Sequence, residues 1–360
     1  MNSFGRKLKL TIFGESHGLS IGAIIDGLPS GVELNLDFIK SEMSRRAPGK
    51  NKISTTRKET DDFIIESGFF NGYTTGTPLC VRIKNSDTHS KDYSILKNLM
   101  RPSHGDYPGF VKYKGFNDYR GGGSFSGRLT APIVFAGSIA KQILKERYNI
   151  EIFSHIYSIK NIEDRPFNLI GEPKEILSKL LEKKLPVLNN EKISLMEEEI
   201  LKAKSMGDSV GGVIECMVNN VGAGLGFPFF DSVESVISHG VFSIPSVKGI
   251  EFGKGFDITK LFGSSANDEY YFDEEKNIKT KTNNNGGILG GITNGMPIIF
   301  RVAIKPTPSI SLPQNTINIS EKTNEILEIK GRHDPCIVQR AVPVIESITA
   351  FAILDLLLSN

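Results

Sequence analysis

The chain has 360 residues, 39% of them hydrophobic, which is enough apolar material for a large buried core or about two domains. Its 43 basic residues nearly balance 41 acidic ones, so no chain-wide charge indicates nucleic acid or a membrane surface as a partner. Three cysteines without a C-x-x-C pair argue against a disulfide framework and a zinc site, and they fit a reducing cytoplasm.

The sequence shows no pattern of a signal peptide or a membrane span. Its N-terminal stretch lacks an uninterrupted apolar region. The most apolar run, Ile348–Leu358, has 11 residues and includes Asp355, whereas a bilayer requires about 20. We therefore expect a soluble, cytoplasmic protein with no membrane partner.

Two short predicted strands, Lys9–Phe13 and Ile21–Ile25, flank the loop GESHG, which contains His17. A histidine held between glycines in a tight connection is placed to present its ring to a cleft, although many turn histidines have no such role. The next predicted element is a helix, Leu36–Arg46, which ends before Pro48.

The stretch from Lys40 to Lys58 is basic, with seven lysines and arginines against Glu42 alone. Such a run is usually a solvated face, but the hydroxyl side chains within it are typical of sites for phosphates and carboxylates. It contains no aromatic residue on which a nucleic-acid base could stack, so small anions are favoured over RNA.

Predicted strands at Asp62–Glu66 and Leu79–Lys84 precede a second histidine loop, RPSHGD, which contains His104. A glycine-rich loop follows and runs into an apolar segment from Thr130 to Leu144, which we predict to be a helix buried nearly all round. Backbone N–H groups of such a loop can approach an anion closely. Its spacing fits neither the G-x-G-x-x-G fingerprint nor a P-loop, and an ordinary loop remains the alternative.

The second half of the chain contains a segment at about 160–206 that is rich in Glu and Lys, which we predict to be peripheral or connecting within a single domain of residues 1–360. Because strands and helices do not alternate regularly, the pattern favours an α+β fold. The other predicted elements are helices at Lys192–Lys204, Ser232–Val241 and Val338–Leu358, and strands at Val213–Val218, Lys248–Gly253 and Ile298–Ala303.

Three later loops have a composition suited to ligand binding. Asn283–Gly291 is a glycine cluster that could approach a flat ligand closely, and prolines fix the loop Lys305–Ser309. The loop GRHDP places Arg332 near Asp334, which should stay ionised beside that positive charge. A helix-capping aspartate is the alternative interpretation.

These residue types indicate an enzyme for a phosphorylated, carboxylated small molecule. Arginine forks match both kinds of anion, and histidine, whose unperturbed pKa is about 6.5, can protonate a leaving group. The glycine clusters indicate a planar cofactor as well. No metal-ligand spacing and no G-x-S-x-G motif is present, so neither a metal site nor a serine nucleophile is predicted.

The motifs occur together in one known family. The motifs GESHG, Arg45–Gly49 followed by TTR, RPSHGD, Tyr119–Arg128, GGILGG, KPT, and GRHDPC with RAVP follow one another as in chorismate synthases, and the chain resembles that family over essentially its full length. The resemblance implies a β-α-β sandwich, with core helices packed between antiparallel sheets, assembled as a homotetramer. It also implies an anti-1,4-elimination of phosphate from 5-enolpyruvylshikimate 3-phosphate to give chorismate, the last step of the shikimate pathway, with reduced FMN and no net redox change.

The resemblance further implies residue roles. His17 would protonate the departing phosphate, His104 would supply a proton to the reduced flavin, and Asp334 would act near flavin N5. The substrate would be held by Arg46, Arg101, Arg128 and Arg332. The FMN would lie against Ser124, Phe125, Ser126, Pro245, Ser246, Gly286, Lys305, Pro306, Thr307, Pro308, Ser309 and Arg332.

FAD and NADP are further nucleotides that the resemblance implies, with NADP contacts at Arg46 and Lys52. No flavin-reductase domain is visible, so reduced FMN would come from an external reductant. The chain departs from the family pattern at Ser124, Phe125 and Lys52, where an arginine, a serine and an arginine are common.

Two other functions remain as alternatives. One is a flavin-dependent oxidoreductase with net hydride transfer, which would consume a reductant stoichiometrically. The other is an anion- or RNA-binding module built on Lys40–Lys58, which would bind RNA in a salt-sensitive way and show no turnover.

Overall fold

The structure is a computed structural model that describes residues 2–49, 53, 61–85, 95–329 and 334–360. The first described elements are β1 (Ser3–Phe4), β2 (Lys9–Gly14), β3 (Ser20–Asp26), α1 (Leu36–Arg46), β4 (Phe63–Ser67), β5 (Phe69–Phe70), β6 (Tyr73–Thr74), β7 (Leu79–Lys84), α2 (Asp106–Lys112), α3 (Thr130–Tyr148), β8 (Glu151–Ile159) and β9 (Ile162–Glu163).

The second half continues in the same mixed pattern. Its elements are α4 (Lys174–Glu182), α5 (Glu191–Ser205), β10 (Gly212–Asn219), α6 (Val233–Phe242), β11 (Val247–Phe252), α7 (Gly263–Ala266), β12 (Tyr270–Phe272), β13 (Ile278–Thr280), β14 (Ile288–Leu289), β15 (Ile292–Thr293), β16 (Ile298–Ile304), β17 (Gln314–Asn318), β18 (Thr323–Leu327) and α8 (Val338–Ser359).

Two five-stranded antiparallel sheets form the outer layers. The first has the order β1-β2-β3-β7-β4, and the second has the order β11-β16-β10-β8-β9. In β7, Leu79, Val81 and Ile83 are buried while the residues between them are more exposed, as expected for a strand with one face on the core. The first sheet therefore has one buried face.

Helices α3 and α8 lie between the sheets and pack against each other. Helix α3 contacts β2, β3 and β7 of the first sheet, and α8 contacts β8 and β10 of the second. The helices approach closely at Gly137, where a Cβ atom would lie 2.2 Å from Cβ of Ser347. This arrangement confirms the predicted α+β sandwich with core helices, and Ala131–Ala140 of α3 are all buried, as predicted.

Helix α8 is long and apolar enough to cross a membrane by length and composition. However, 83% of its most apolar window is buried inside the fold, where Phe351 and Leu354 belong to the hydrophobic core. Its apolar character is therefore accounted for by its place between the two sheets.

The charged segment at 160–206 covers the outer face of the second sheet. Leu177 and Leu180 of α4 pack there with Phe153, Phe167 and Met217 in a second hydrophobic cluster. In α4 the lysines and glutamates lie on the less buried face, and its apolar stripe packs against the far side of the sheet.

A buried ion network joins α1, α3 and α8 beside the core. Glu346 is fully buried and accepts hydrogen bonds from Arg45 at 2.7 and 3.1 Å and from Lys141. Arg45 and Lys141 also bind Glu42. Burial disfavours the charged form of Glu42, but Lys141 and Arg45 outweigh it and lower the pKa of Glu42 from 4.5 to about 2.

We expect this network to make stability depend on acidity through Glu42. Because its folded pKa lies below the unfolded value, its contribution is present above pH 4.5 and is lost as the pH falls toward about 2. The shift corresponds to about 3 kcal/mol of unfolding free energy. Glu42→Gln should therefore be less stable at pH 7, and its deficit should shrink toward pH 3 in urea titrations.

The matched control is Glu274→Gln, at an exposed position of the β12–β13 connection, which should change stability by less than about 0.5 kcal/mol. A deficit of Glu42→Gln that stays constant between pH 7 and pH 3 would contradict the expected pH dependence.

Candidate active site

A cavity of about 420 Å³ opens where loops from both halves of the chain meet. Its wall is built from the end of α1, the loop before α2, the glycine loop before α3, the stretch after α6, the loop after β16 and the start of α8. The predicted site residues that line it are Arg46, Arg101, His104, Phe125, Ser126, Arg128, Pro245, Ser246, Lys305, Thr307, Pro308, Ser309 and Asp334.

The other predicted site residues have different positions. Ser124 lines a neighbouring cavity of about 770 Å³, which shares Phe125 and Ser126 with the first. Pro306 is exposed. Lys52 and Arg332 lie outside the described residues, as does most of the basic stretch that follows α1.

The glycine cluster GGILGG does not line the cavity. Gly286 has a φ of +67°, and a Cβ there would lie 2.5 Å from the backbone nitrogen of Gly253. Gly290 and Gly291 form the turn between β14 and β15. The close approach that Gly286 allows is to the backbone of Gly253, and a flat ligand beside this cluster stays a prediction.

The glycine loop before α3 is shaped by three successive left-handed residues. Gly121, Gly122 and Gly123 have φ values of 58°, 85° and 52°, a conformation that residues with a Cβ rarely adopt. The backbone N–H of Ser16 donates to the carbonyl of Gly123 at 3.1 Å. A Cβ at Gly121 would lie 2.1 Å from Nδ1 of His17, so this glycine lets the loop rest on the imidazole.

His17 is not among the residues that line this cavity. It is 7% exposed, and its ring lies against Gly121, which does line the cavity. Asp118 is nearby, and its pKa is lowered mainly by a hydrogen bond from Arg120, with a smaller contribution from His17. Hydrogen bonds therefore join Asp118 to Arg120 and the glycine loop to Ser16, which precedes His17 in the chain.

Asp61 joins two of the predicted substrate arginines. Its Oδ2 accepts from Nε of Arg46 at 2.9 Å and from Nη2, and its Oδ1 accepts from Nη1 of Arg128. Burial disfavours the charged form of Asp61, but the two guanidinium groups outweigh it and hold the pKa of Asp61 below its usual value. The carboxylate therefore stays ionised between them.

Two further arginine–carboxylate pairs lie on the same cavity. Arg101 donates from Nε and Nη2 to the two oxygens of Asp106 at 2.7 and 2.8 Å, a bidentate geometry. Arg340 donates from Nη1 to Asp334 and from Nε to the carbonyl of Arg46 at 3.1 Å. Burial and the neighbouring Arg46 lower the pKa of Arg340, although Asp334 opposes this shift.

Sequence reasoning assigned no role to Asp61, Asp106 or Arg340. Asp106 and Arg340 stand inside the RPSHGD and RAVP blocks, so those motifs could have indicated them. Asp61 carried no such signal, because its two partners are 15 and 67 residues away in the chain.

The cavity is also lined by His104, Lys305, Thr307 and Ser309. Nε2 of His104 and Oγ of Ser309 are 2.7 Å apart, and Nζ of Lys305 donates to the carbonyl of Ser103 at 2.7 Å. Burial, with a contribution from Lys248, lowers the pKa of Lys305. Oγ1 of Thr307 is buried without a hydrogen-bond partner among the described residues.

These features define an enzyme that binds a multiply anionic small molecule. Guanidinium groups line the cavity together with an imidazole, an ammonium group and hydroxyls. Charged side chains that hydrogen bonds hold in fixed orientations around a cavity of this size are typical of a catalytic site rather than of a structural ion cluster.

Comparisons with known proteins identify the family. The profile of the chorismate synthase family matches residues 8–358. A chorismate synthase of Methanococcus aeolicus is 46% identical over 367 residues, covering 99% of this chain and 97% of the relative. One of Pyrococcus abyssi is 47% identical over 355 residues, covering 98% of this chain and 97% of the relative.

A solved structure agrees with these relatives. The crystal structure of a chorismate synthase superposes with a TM-score of 0.77 at 30% identity, covering 99% of this chain and 93% of that one. The chain belongs to the chorismate synthase family. It is a carbon–oxygen lyase that eliminates phosphate from 5-enolpyruvylshikimate 3-phosphate to form chorismate, the last step of the shikimate pathway of aromatic amino-acid biosynthesis.

Proposed function

We propose that the 420 Å³ cavity is the place where phosphate leaves 5-enolpyruvylshikimate 3-phosphate, with reduced FMN bound beside the substrate. The observation that carries this proposal is the convergence of Arg46, Arg101, Arg128 and Arg340 on one cavity. The substrate has a phosphate and two carboxylates, which are the anions that guanidinium forks bind in a bidentate way.

The other polar residues that line the cavity fit a flavin phosphate and a polar ring edge. Thr307 has a buried hydroxyl with no partner among the described residues, so it can bind a ligand without losing a protein contact. Lys305, Ser246 and Ser309 add an ammonium group and two hydroxyls. Reduced FMN bound there would supply an electron transiently to the elimination and recover it, without net redox change.

The chain's own residues supply binding and proton transfer. His17 is the acid for the departing phosphate, and Gly121 packs directly against its ring. His104 holds a proton at the cavity wall, where its hydrogen bond with Ser309 fixes the ring orientation. Asp334 is the carboxylate that assists removal of the C6 proton, and Arg340 fixes its position.

The experiment is an anaerobic assay of the purified chain with 5-enolpyruvylshikimate 3-phosphate and chemically reduced FMN. We expect chorismate and phosphate to form in equal amounts while FMN stays reduced. Stoichiometric oxidation of FMN would instead indicate net hydride transfer, and binding of RNA without turnover would indicate the binding-module alternative. Absence of chorismate from flavin-loaded protein would overturn the assignment of the cavity.

Assembly as a homotetramer is a further part of the proposal. Large apolar side chains are exposed around β12 and β13, among them Phe256, Phe262 and Phe272, which are 81%, 85% and 68% exposed. Apolar surface of this kind is typical of a protein interface. Light scattering should give a mass near four chains, and a monomer mass at assay concentration would contradict this proposal.

The remaining expectations concern the cellular setting. A cytoplasmic location is supported by the free thiols of Cys80, Cys216 and Cys336, and cell fractionation tests it. An external reductant would supply reduced FMN, so the purified chain should show no turnover with oxidised flavin alone. NADP binding at Arg46 and Lys52, and any use of FAD, stay predictions that equilibrium titration can test.

A further inference from the structure

Asp61 is a carboxylate with an unusual position among the groups of the cavity. It is 3% exposed, has a φ of +54° just before β4, and contacts Arg46 and Arg128, which are 1% and 5% exposed. The two arginines come from separate elements, the end of α1 and the turn before α3. Asp61 is therefore a charged link between the two arginines, in addition to the packing of α1 against α3.

Each arginine is also anchored individually. Nη1 of Arg46 donates to Oγ1 of Thr130 at 3.3 Å. Arg128 donates from Nε to Oδ1 of Asn85 and from Nη2 to the carbonyl of Lys84, both at 3.1 Å. These neutral contacts fix each side chain in place, but like charges so close together repel each other. The shared carboxylate is what offsets that repulsion.

Charge and orientation make opposite contributions to anion binding here. The negative charge of Asp61 reduces the positive potential of the cavity, which by itself weakens binding of an anion. Holding two flexible arginines in one arrangement before the ligand arrives lowers the ordering cost of binding, which strengthens it. The two effects predict opposite results when the charge of Asp61 is removed. If charge dominates, the affinity for an anion rises, and if orientation dominates, the affinity falls.

We propose that Asp61 is a positioning residue, which holds Arg46 and Arg128 side by side so that both guanidinium groups bind the same multiply anionic substrate. The inference rests on the proposed function of the cavity. It assigns Asp61 no contact with the substrate and no proton transfer. Asp61 affects the reaction only by orienting the two arginines.

The test compares Asp61→Asn with Asp62→Asn. Asparagine tolerates the left-handed backbone of position 61, so backbone strain does not confuse the result. Asp62 is exposed, and its substitution removes the same charge one residue away. For Asp61→Asn we expect the Kd of inorganic phosphate, measured by calorimetry, and the KM of the substrate to rise about tenfold or more. Both should stay within about twofold for Asp62→Asn.

A double-variant cycle separates positioning from a general structural role. If Asp61 acts through the guanidinium fork of Arg128, Asp61→Asn should have a much smaller effect on the phosphate Kd in an Arg128→Lys background. Fully additive effects would overturn the proposal. Circular dichroism and melting curves show that each variant is folded.

The outcomes also distinguish this inference from the proposed function. A phosphate Kd of Asp61→Asn equal to or below that of the unsubstituted chain would show that only charge matters, and would overturn the positioning role even if the enzyme turns over normally. Failure of the unsubstituted chain to bind phosphate would also overturn the positioning role of Asp61. Loss of chorismate formation alone, with the phosphate titration as expected, would affect the proposed function and leave the role of Asp61 supported.

Discussion

His104→Ala should lower kcat/KM for chorismate formation by about 10²–10⁴, which corresponds to roughly 3–5 kcal/mol of barrier. The imidazole lines the cavity and is held by Oγ of Ser309 at 2.7 Å, so the substitution removes a positioned proton carrier. The measurement is the anaerobic assay with reduced FMN supplied in excess. Stability should change little, because His104 is only half-buried in a loop.

Ser309→Ala is the matched control for this prediction. It removes the hydrogen bond to the ring but keeps the imidazole, so its loss should be about tenfold or less. If His104→Ala turned over at the unsubstituted rate, the proposed role of His104 would be excluded. Equal losses in both variants would indicate that His104 contributes to kcat/KM through its contact with Ser309 and not as a proton donor.

Local sequence signals predicted much of the fold. Helix α1 and strand β7 have the predicted bounds, and α3 begins at Thr130 as predicted. In each case the signal is short-range: Pro48 follows the end of α1, and apolar residues alternate along β7. These elements could be predicted because the residues that define them are close together in the chain.

Elements that depend on distant partners were missed. Strand β8 was not predicted, because Ser154, His155 and Ser158 interrupt its apolar pattern, yet all three are buried. His155 is accommodated there by Asp164 and Glu215, at 3.2 and 3.0 Å. The two carboxylates hydrogen-bond the ring and, although burial opposes it, raise the pKa of His155. No spacing within β8 indicates that such partners will be present.

The candidate site shows the same difference between local sequence signals and contacts that form only on folding. Motif blocks located its loops, but they did not show which carboxylate pairs with which arginine, since Asp61 meets Arg128 only after the chain has folded. The motif GGILGG shows a second limit of sequence patterns. Gly286 is required by its own backbone geometry and by the nearby Gly253, and this requirement gives the same glycine signal as a ligand contact would.

Gly121→Ala should lower kcat/KM by about 10² or more, while the fold stays intact. The new Cβ would lie 2.1 Å from Nδ1 of His17, and alanine disfavours a φ of +58°. Either the loop or the imidazole must move, and the proposed acid for the departing phosphate is then displaced. The cost in stability should be about 1–3 kcal/mol, measured by urea unfolding, because the strain is local.

Gly222→Ala is the matched control, because its Cβ would meet no heavy atom within 4 Å and its φ lies outside the left-handed region. It should leave kcat/KM within about twofold. The decisive comparison adds His17→Ala. If Gly121 acts by placing His17, the double variant should be no slower than His17→Ala alone, since a displaced imidazole and an absent one give the same loss. Additive losses would mean that the glycine loop contributes to the reaction by a route other than His17.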